Sequence, residues 1–127
     1  MTQEDKELLL KDLCSRLPYG LKVKSEHYSF PVTILYSGNI DDIKFKETGG
    51  IENICTIKPY LFPLSSMTKG QKYEYQYITE RWMYDPAYSI SDSTDWLNKN
   101  HFDYRDLIEK GLAIDATGTD IYDVPEE

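Results

Sequence analysis

The hydrophobic period of the chain changes at Pro18, and that change restricts the fold more than any other feature. Before it, Leu9, Leu10, Leu13, Cys14 and Leu17 recur at spacings of three and four, the stripe of a helix with one buried face. Thr2 or Gln3 can open this helix, and Glu4, Asp5 and Glu7 load its first turn with the sign that the helix dipole favours. Lys6, Asp12 and Arg16 are expected to face away from the core. Pro18 ends the helix, because the residue before a proline is pushed out of the α region. A helix over about 3 to 17 follows.

Beyond Pro18 the period is two. "LKVKSEH" sets Leu21 and Val23 against Lys22 and Lys24, the pattern of a half-buried strand. Val32 to Tyr36 is richer in β-branched residues, with Ser37-Gly38-Asn39 as the turn after it. "DDIKFKE" alternates again, with Ile43 and Phe45 inward and Lys44 and Lys46 outward, and "ENICTIKPYLF" offers a fourth strand. Three or four short sequential strands imply an antiparallel meander, curled like a small barrel.

Residues 58–82 form the way out of that sheet. Pro59 and Pro63 cannot donate to a ladder, so the segment reads as an edge or an extended exit. Thr68 followed by Gln71 has the form of a capping box. Tyr73, Tyr75 and Tyr77 alternate as a strand would, but the cap favours a helix over about 68 to 83, stopped by Asp85-Pro86. In that helix Tyr73, Tyr77 and Arg81 share one side, and Tyr75, Ile78 and Trp82 another. The remainder reads as a helical hairpin, with Trp96, Leu97, Phe102, Leu107, Ile108 and Leu112 inward and Asp103 as N-cap of its second helix. The tail from Asp115 is acidic and turn-rich and frays unless Ile121 or Tyr122 docks. The expected fold is α+β in a single domain, 1–127: an N-terminal helix, a small antiparallel sheet of three to four strands, then about three helices.

Charge separates the two halves. Residues 1–70 hold nine Lys/Arg and nine Asp/Glu, whereas residues 71–127 hold five and thirteen, so the whole net charge of −8 lies in the second half. Such a balance disfavours direct nucleic-acid binding and suits solubility, or an acidic surface that engages a basic partner. The longest apolar run is Leu8-Leu9-Leu10, and the start "MTQEDKELLLKDLC" is too acidic for a signal peptide, so no membrane partner and a cytoplasmic location are expected. In that compartment Cys14 and Cys55 are expected as buried small hydrophobes rather than a bridge. With His27 and His101 they lack the spacing of a metal site.

No nucleotide-binding or hydrolase motif is present, and no cofactor is expected. One constellation could carry chemistry: His101 and Asp103, two residues apart, could meet in a turn and let the carboxylate orient an imidazole base. A capping role for Asp103 competes with it. The eleven tyrosines weigh more. Tyrosine gives large contact area at low entropic cost, and the cluster Tyr60, Tyr73, Tyr75, Tyr77, Tyr84 and Tyr88 suits a protein-binding surface or a stacked small ligand.

Three stretches also carry a resemblance. "LCSRLPYGLKV" (13–23), "KPYLFPLSSMT" (58–68) and "DWLNKNHFDYRDLIEKGLAI" (95–114), about a third of the chain, resemble the signature segments of uncharacterised small proteins of phages and mobile elements of gut Bacteroidales. Those proteins have acidic residues directly after "SSMT", where this chain has Lys69-Gly70-Gln71. The resemblance implies a phage or prophage origin and the cytoplasm of a host cell, and it brings no activity and no site residues. The expected function is a non-catalytic protein-interaction module, with a narrower version as an acidic inhibitor that mimics nucleic acid. The alternative is a small enzyme, or a nucleotide- or small-ligand-binding protein, built on an aromatic pocket or on His101 and Asp103. The sequence leaves the oligomeric state open.

Overall fold

The computed structural model describes residues 1–37, 39–81, 83–85 and 90–122. It opens with α1 (Gln3–Arg16), closed at its start by a reciprocal capping box in which Asp5 N–H donates to Thr2 Oγ1 at 3.1 Å and Thr2 N–H to Asp5 Oδ2 at 3.4 Å. Leu9 and Leu13 are fully buried. The helix is rotated from its expected setting, however. Its buried line is Leu9, Asp12, Leu13 and Arg16, so Asp12 and Arg16 lie inside instead of facing away. Cys14 correspondingly falls outside, and Cys55 is exposed too, so neither is the buried hydrophobe expected of it. The rotation is tolerated because each buried charge meets its opposite, as described below. Pro18 sits in a single 3-10 turn, Leu17–Tyr19, from which Gly20 escapes at φ 69°.

The sheet then runs through β1 (Lys22–Ser25), β2 (Val32–Ser37), β3 (Ile43–Phe45), β4 (Ile51–Glu52) and β5 (Ile57–Pro63). It is completed by two later strands, β6 (Phe102–Asp103) and β7 (Ile114–Asp115). The order is β4-β3-β2-β1-β5-β6, with β7 also on β5. The first five are antiparallel neighbours, while β6 and β7 lie parallel to β5. Among the described residues seven strands replace the three or four expected, and the sheet is open rather than barrel-like. Two physical reasons account for the difference. Asn53 caps a 3-10 turn, Ile54–Thr56, through Cys55 N–H, and this splits the expected fourth strand into β4 and β5. At the sheet's ends, β4 and β6 are two residues long, too short to close on each other.

Nor is β5 an edge or exit, despite its prolines. Glu26 N–H donates to Thr56 O, so by the two-residue period Lys24–Lys58 is the next bonded pair and Val23–Pro59 is a non-bonded one. Pro59 therefore withholds no donor from β1. Around β5 sit two cores. Ile57 and Leu61 face the larger, with Leu9, Leu13, Val23, Ile34, Phe45 and Leu107. Phe62, with Tyr60 at its margin, faces the smaller, built on Trp96, Leu97, Phe102 and Ala116.

Two helices follow β5 among the described residues: α2 (Lys69–Arg81) and α3 (Ile90–Lys99). The expected helix from Asp103 does not form. His101 takes φ 61° and Asp106 φ 57°, and the Asp103 carboxylate accepts from the amides of Arg105, Leu107 and Ile108 at 3.2, 3.0 and 2.9 Å. Residues 104–113 are thereby wound into successive turns. The tail is pinned where Tyr122 docks: its hydroxyl accepts from Lys22 N–H at 2.8 Å and lies 3.0 Å from Tyr60 O. No described helix is long and apolar enough to cross a membrane.

Candidate functional site

Helix α2 is the element that presents side chains outward. Its start is the capping box read from the sequence, with Gln71 N–H donating to Thr68 Oγ1 at 3.2 Å and Thr68 N–H to Gln71 Oε1 at 2.8 Å. None of its residues is buried. The two-sided helical reading holds: Tyr75 and Ile78 pack on the smaller core, Tyr75 lying 5.4 Å from the Trp96 ring. Tyr73 and Tyr77 point the other way, 74% and 52% exposed, and the Arg81 guanidinium sits 4.8 Å over the Tyr77 ring. Glu80 and Gln76 complete a shallow groove with the two tyrosines. Just past the helix, Met83 and Tyr84 are 63% and 80% exposed in a turn tied to Glu80 O and Arg81 O. Of the expected tyrosine cluster, then, Tyr73, Tyr77 and Tyr84 are exposed and Tyr60 and Tyr75 serve the core. Tyr88, like Trp82 and Pro86, lies outside the described residues.

His101 and Asp103 are brought close in the chain but not to each other. The Asp103 carboxylate is occupied by three backbone amides, and both residues are buried. The His101 ring stacks on Tyr122 with centroids 4.0 Å apart, and its Nδ1 has no hydrogen-bond partner among the described residues. Burial first, and the nearby Arg16 guanidinium second, push the imidazole down to about 4, against a hydrogen bond to the Tyr19 backbone that works the other way. Near neutral pH it is an uncharged ring in a wall of aromatics. Burial likewise holds the Tyr122 phenol protonated far above its usual range. This is not the geometry of an acid–base dyad, which needs the carboxylate on the imidazole.

The sequence reading missed a buried network of charged groups. Arg16, with no exposed surface, donates through Nε and Nη2 to the Asp12 carboxylate at 3.0 and 3.1 Å and through Nη2 to Phe102 O at 2.6 Å. Arg105 reaches the same carboxylate at 2.7 Å, and both guanidiniums lie over the Tyr104 ring, at 5.4 and 4.4 Å. The i, i+4 spacing of Asp12 and Arg16 was the available signal, although it equally fits a solvent-exposed helical pair. The network joins α1 to the start of β6.

A separate cavity has aromatic walls but none of the expected tyrosines. About 160 Å³ in volume, it lies between Phe62, Phe102, Gln71 and the hydroxyls of Ser66, Thr68, Thr117 and Thr119. No titratable side chain lines it. Three of its hydroxyls are committed, Ser66 to Pro63 O, Thr68 to Gln71 N–H and Thr119 to Ala116 O. It is smaller than the roughly 300 Å³ at which drug-sized ligand sites begin. Among the described residues no group of three or more His, Cys, Asp or Glu is placed to hold a metal. Compared with protein-family models, curated proteins and solved structures, the chain matches none.

Proposed function

We propose that this chain is a non-catalytic protein-interaction module, phage-encoded and working in the cytoplasm of its host cell, and that it meets a host or phage protein through the outer side of α2 and the Met83–Tyr84 turn. One observation carries the reading: Tyr73 and Tyr77 on α2 and Tyr84 in the turn after it, large apolar side chains with a polar tip, are exposed side by side with no described residue of the helix fully buried. Aromatic anchors of this kind dominate the energetics of protein interfaces, where a few residues supply most of the affinity. On the same helix Glu74 and Glu80 are matched by Lys69, Lys72 and Arg81, so any acidic character of the surface has to come from its neighbours. The acid excess of residues 71–127 supports the narrower version in which the partner ordinarily holds nucleic acid.

The test is capture from the cytosol of a gut Bacteroidales strain, with the wild type and a Tyr73→Ala/Tyr77→Ala variant side by side at about 50 and about 300 mM salt. A partner retained by the wild type and lost by the variant, with both proteins melting within a few degrees of each other, supports the α2 surface. Equal capture by the variant overturns it. Loss of the partner at the higher salt, and its competition by a nucleic-acid oligomer, would single out the mimic.

A further inference from the structure

Residue charge summed over the chain conceals how it is placed. Alternation in β1, β3 and β5 turns Val23, Ile43, Phe45, Ile57 and Leu61 into the larger core and leaves Lys22, Lys24, Lys44 and Lys58 on the other side of the strands. Lys46 continues this row past β3, its amide bonded to Thr33 O. Five of the chain's eleven lysines therefore share one sheet face, and Lys24, Lys44, Lys46 and Lys58 are exposed there. None of the five forms an ion pair with a described carboxylate. Lys22 is partly engaged, donating to Ile121 O at 3.0 Å, and the Glu47 carboxylate beside it is occupied by Thr33.

Two features go beyond a solvated surface. Lys24 and Lys58 are direct cross-strand partners, an arrangement of like charges that destabilises a sheet unless an anion lies between them. They also flank a groove of about 250 Å³ with Glu26, Thr56 and Ile114. Along β1 and β3 alternate lysines are about 6.7 Å apart, and β2, which carries no lysine, separates the two rows. Its exposed apolar side chains include Leu35 and Ile51, the partner of Lys44, and Ile114 lines its groove; the lysines nonetheless set its character, whereas protein interfaces are depleted in lysine and anchored by aromatics. Nor does it offer the protruding helix or ribbon that enters a duplex groove.

We propose that this lysine face binds the phosphodiester backbone of single-stranded nucleic acid, without reading its sequence. Lysine supplies point charges for phosphate and no planar fork for a base edge, which fits backbone tracking. The net charge of −8 does not forbid it. Its excess sits in residues 71–127, and charges farther off than a Debye length, about 8 Å at physiological salt, are largely screened. The proposal does not rest on the α2 reading and can fail without it.

Fluorescence anisotropy with a labelled 20-nucleotide oligo-dT tests the face. Binding is expected at low salt, weakening with a log–log slope of roughly −3 if about four phosphates are neutralised. Lys24→Gln/Lys44→Gln/Lys58→Gln is expected to weaken it about tenfold or more, whereas Lys69→Gln/Lys72→Gln, the same chemistry on α2, leaves it within about twofold. Circular dichroism and melting curves establish that both variants are folded. The proposal is overturned by no anisotropy change at about 50 mM salt, by equal losses in the two variants, by tighter binding of the duplex, or by a preference for anionic phosphatidylserine vesicles.

Discussion

Asp103 shows how much a single carboxylate organises here. Its Oδ1 accepts from Arg105 and Leu107 amides and its Oδ2 from Ile108. A helix N-cap would need only one acceptor, and Asn would then serve nearly as well as Asp. With both oxygens in use, Asn would turn an amide N–H toward one of those donors. Asp103→Asn is therefore expected to destabilise by about 1–3 kcal/mol, close to Asp103→Ala. Denaturant melts that find Asn silent would reject the two-oxygen account. His101 makes the complementary case. Its folded-state pKa of about 4 lies below the unfolded value near 6.5, so only the unfolded chain takes up a proton between the two. Stability is then highest above about 6.5, falls as pH drops toward 4, and levels off below, a loss on the order of 3 kcal/mol for complete titration. His101→Asn keeps a residue that tolerates the left-handed backbone but does not titrate. Between pH 7.5 and 5 its melting temperature should fall less than that of the wild type; parallel falls would remove His101 as the cause.

At the scale of elements, α2 is held by few contacts. It is anchored by Tyr75 and Ile78, by its capping box, and by no buried residue. Amide exchange in α2 is expected to proceed by local opening, faster than in α1, which holds Leu9 and Leu13 in the larger core. Thr68→Ala should speed α2 exchange several-fold, by about 1 kcal/mol of cap, while leaving α1 unchanged. Uniform acceleration across both helices would show that α2 opens only with the whole domain. Local signals made these two helices readable in advance: period, capping residues and a proline stop all lie within a few positions of one another. Strands β6 and β7 were not readable, since two-residue pairings with β5 are made from more than 35 residues away. Asp103 was taken as the start of a helix because helices and chained turns use the same punctuation. The exposed side of the tyrosine helix was legible from its spacing. The lysine face was legible only as alternation, because its assembly depends on which strands become neighbours.

Over the whole molecule, two cores on opposite sides of β5 have to behave as one domain, and the buried charges are where they are tied. Arg16 belongs to the helix of the larger core, yet it donates to Phe102 O and approaches Leu97 O at 3.5 Å, both residues of the smaller one. Asp12 neutralises it and Arg105 together. Removing one member of such a buried group leaves an uncompensated charge, typically a loss of about 3–5 kcal/mol, whereas replacing the pair with packed apolar residues can be neutral. Asp12→Ala should therefore be the more damaging single change, because two guanidiniums then face each other with their carboxylate gone. Asp12→Leu/Arg16→Met should recover part of that loss, as Arg105 can swing its less buried head toward water. If the network also joins the cores mechanically, Arg16→Ala will separate what was one transition. Near-ultraviolet signals, dominated by Trp96 and the tyrosines around it, would be lost at lower denaturant than the far-ultraviolet signal of α1 and the sheet. Coincident transitions in Arg16→Ala would mean that β5 alone, shared by both cores, is enough to make them cooperative.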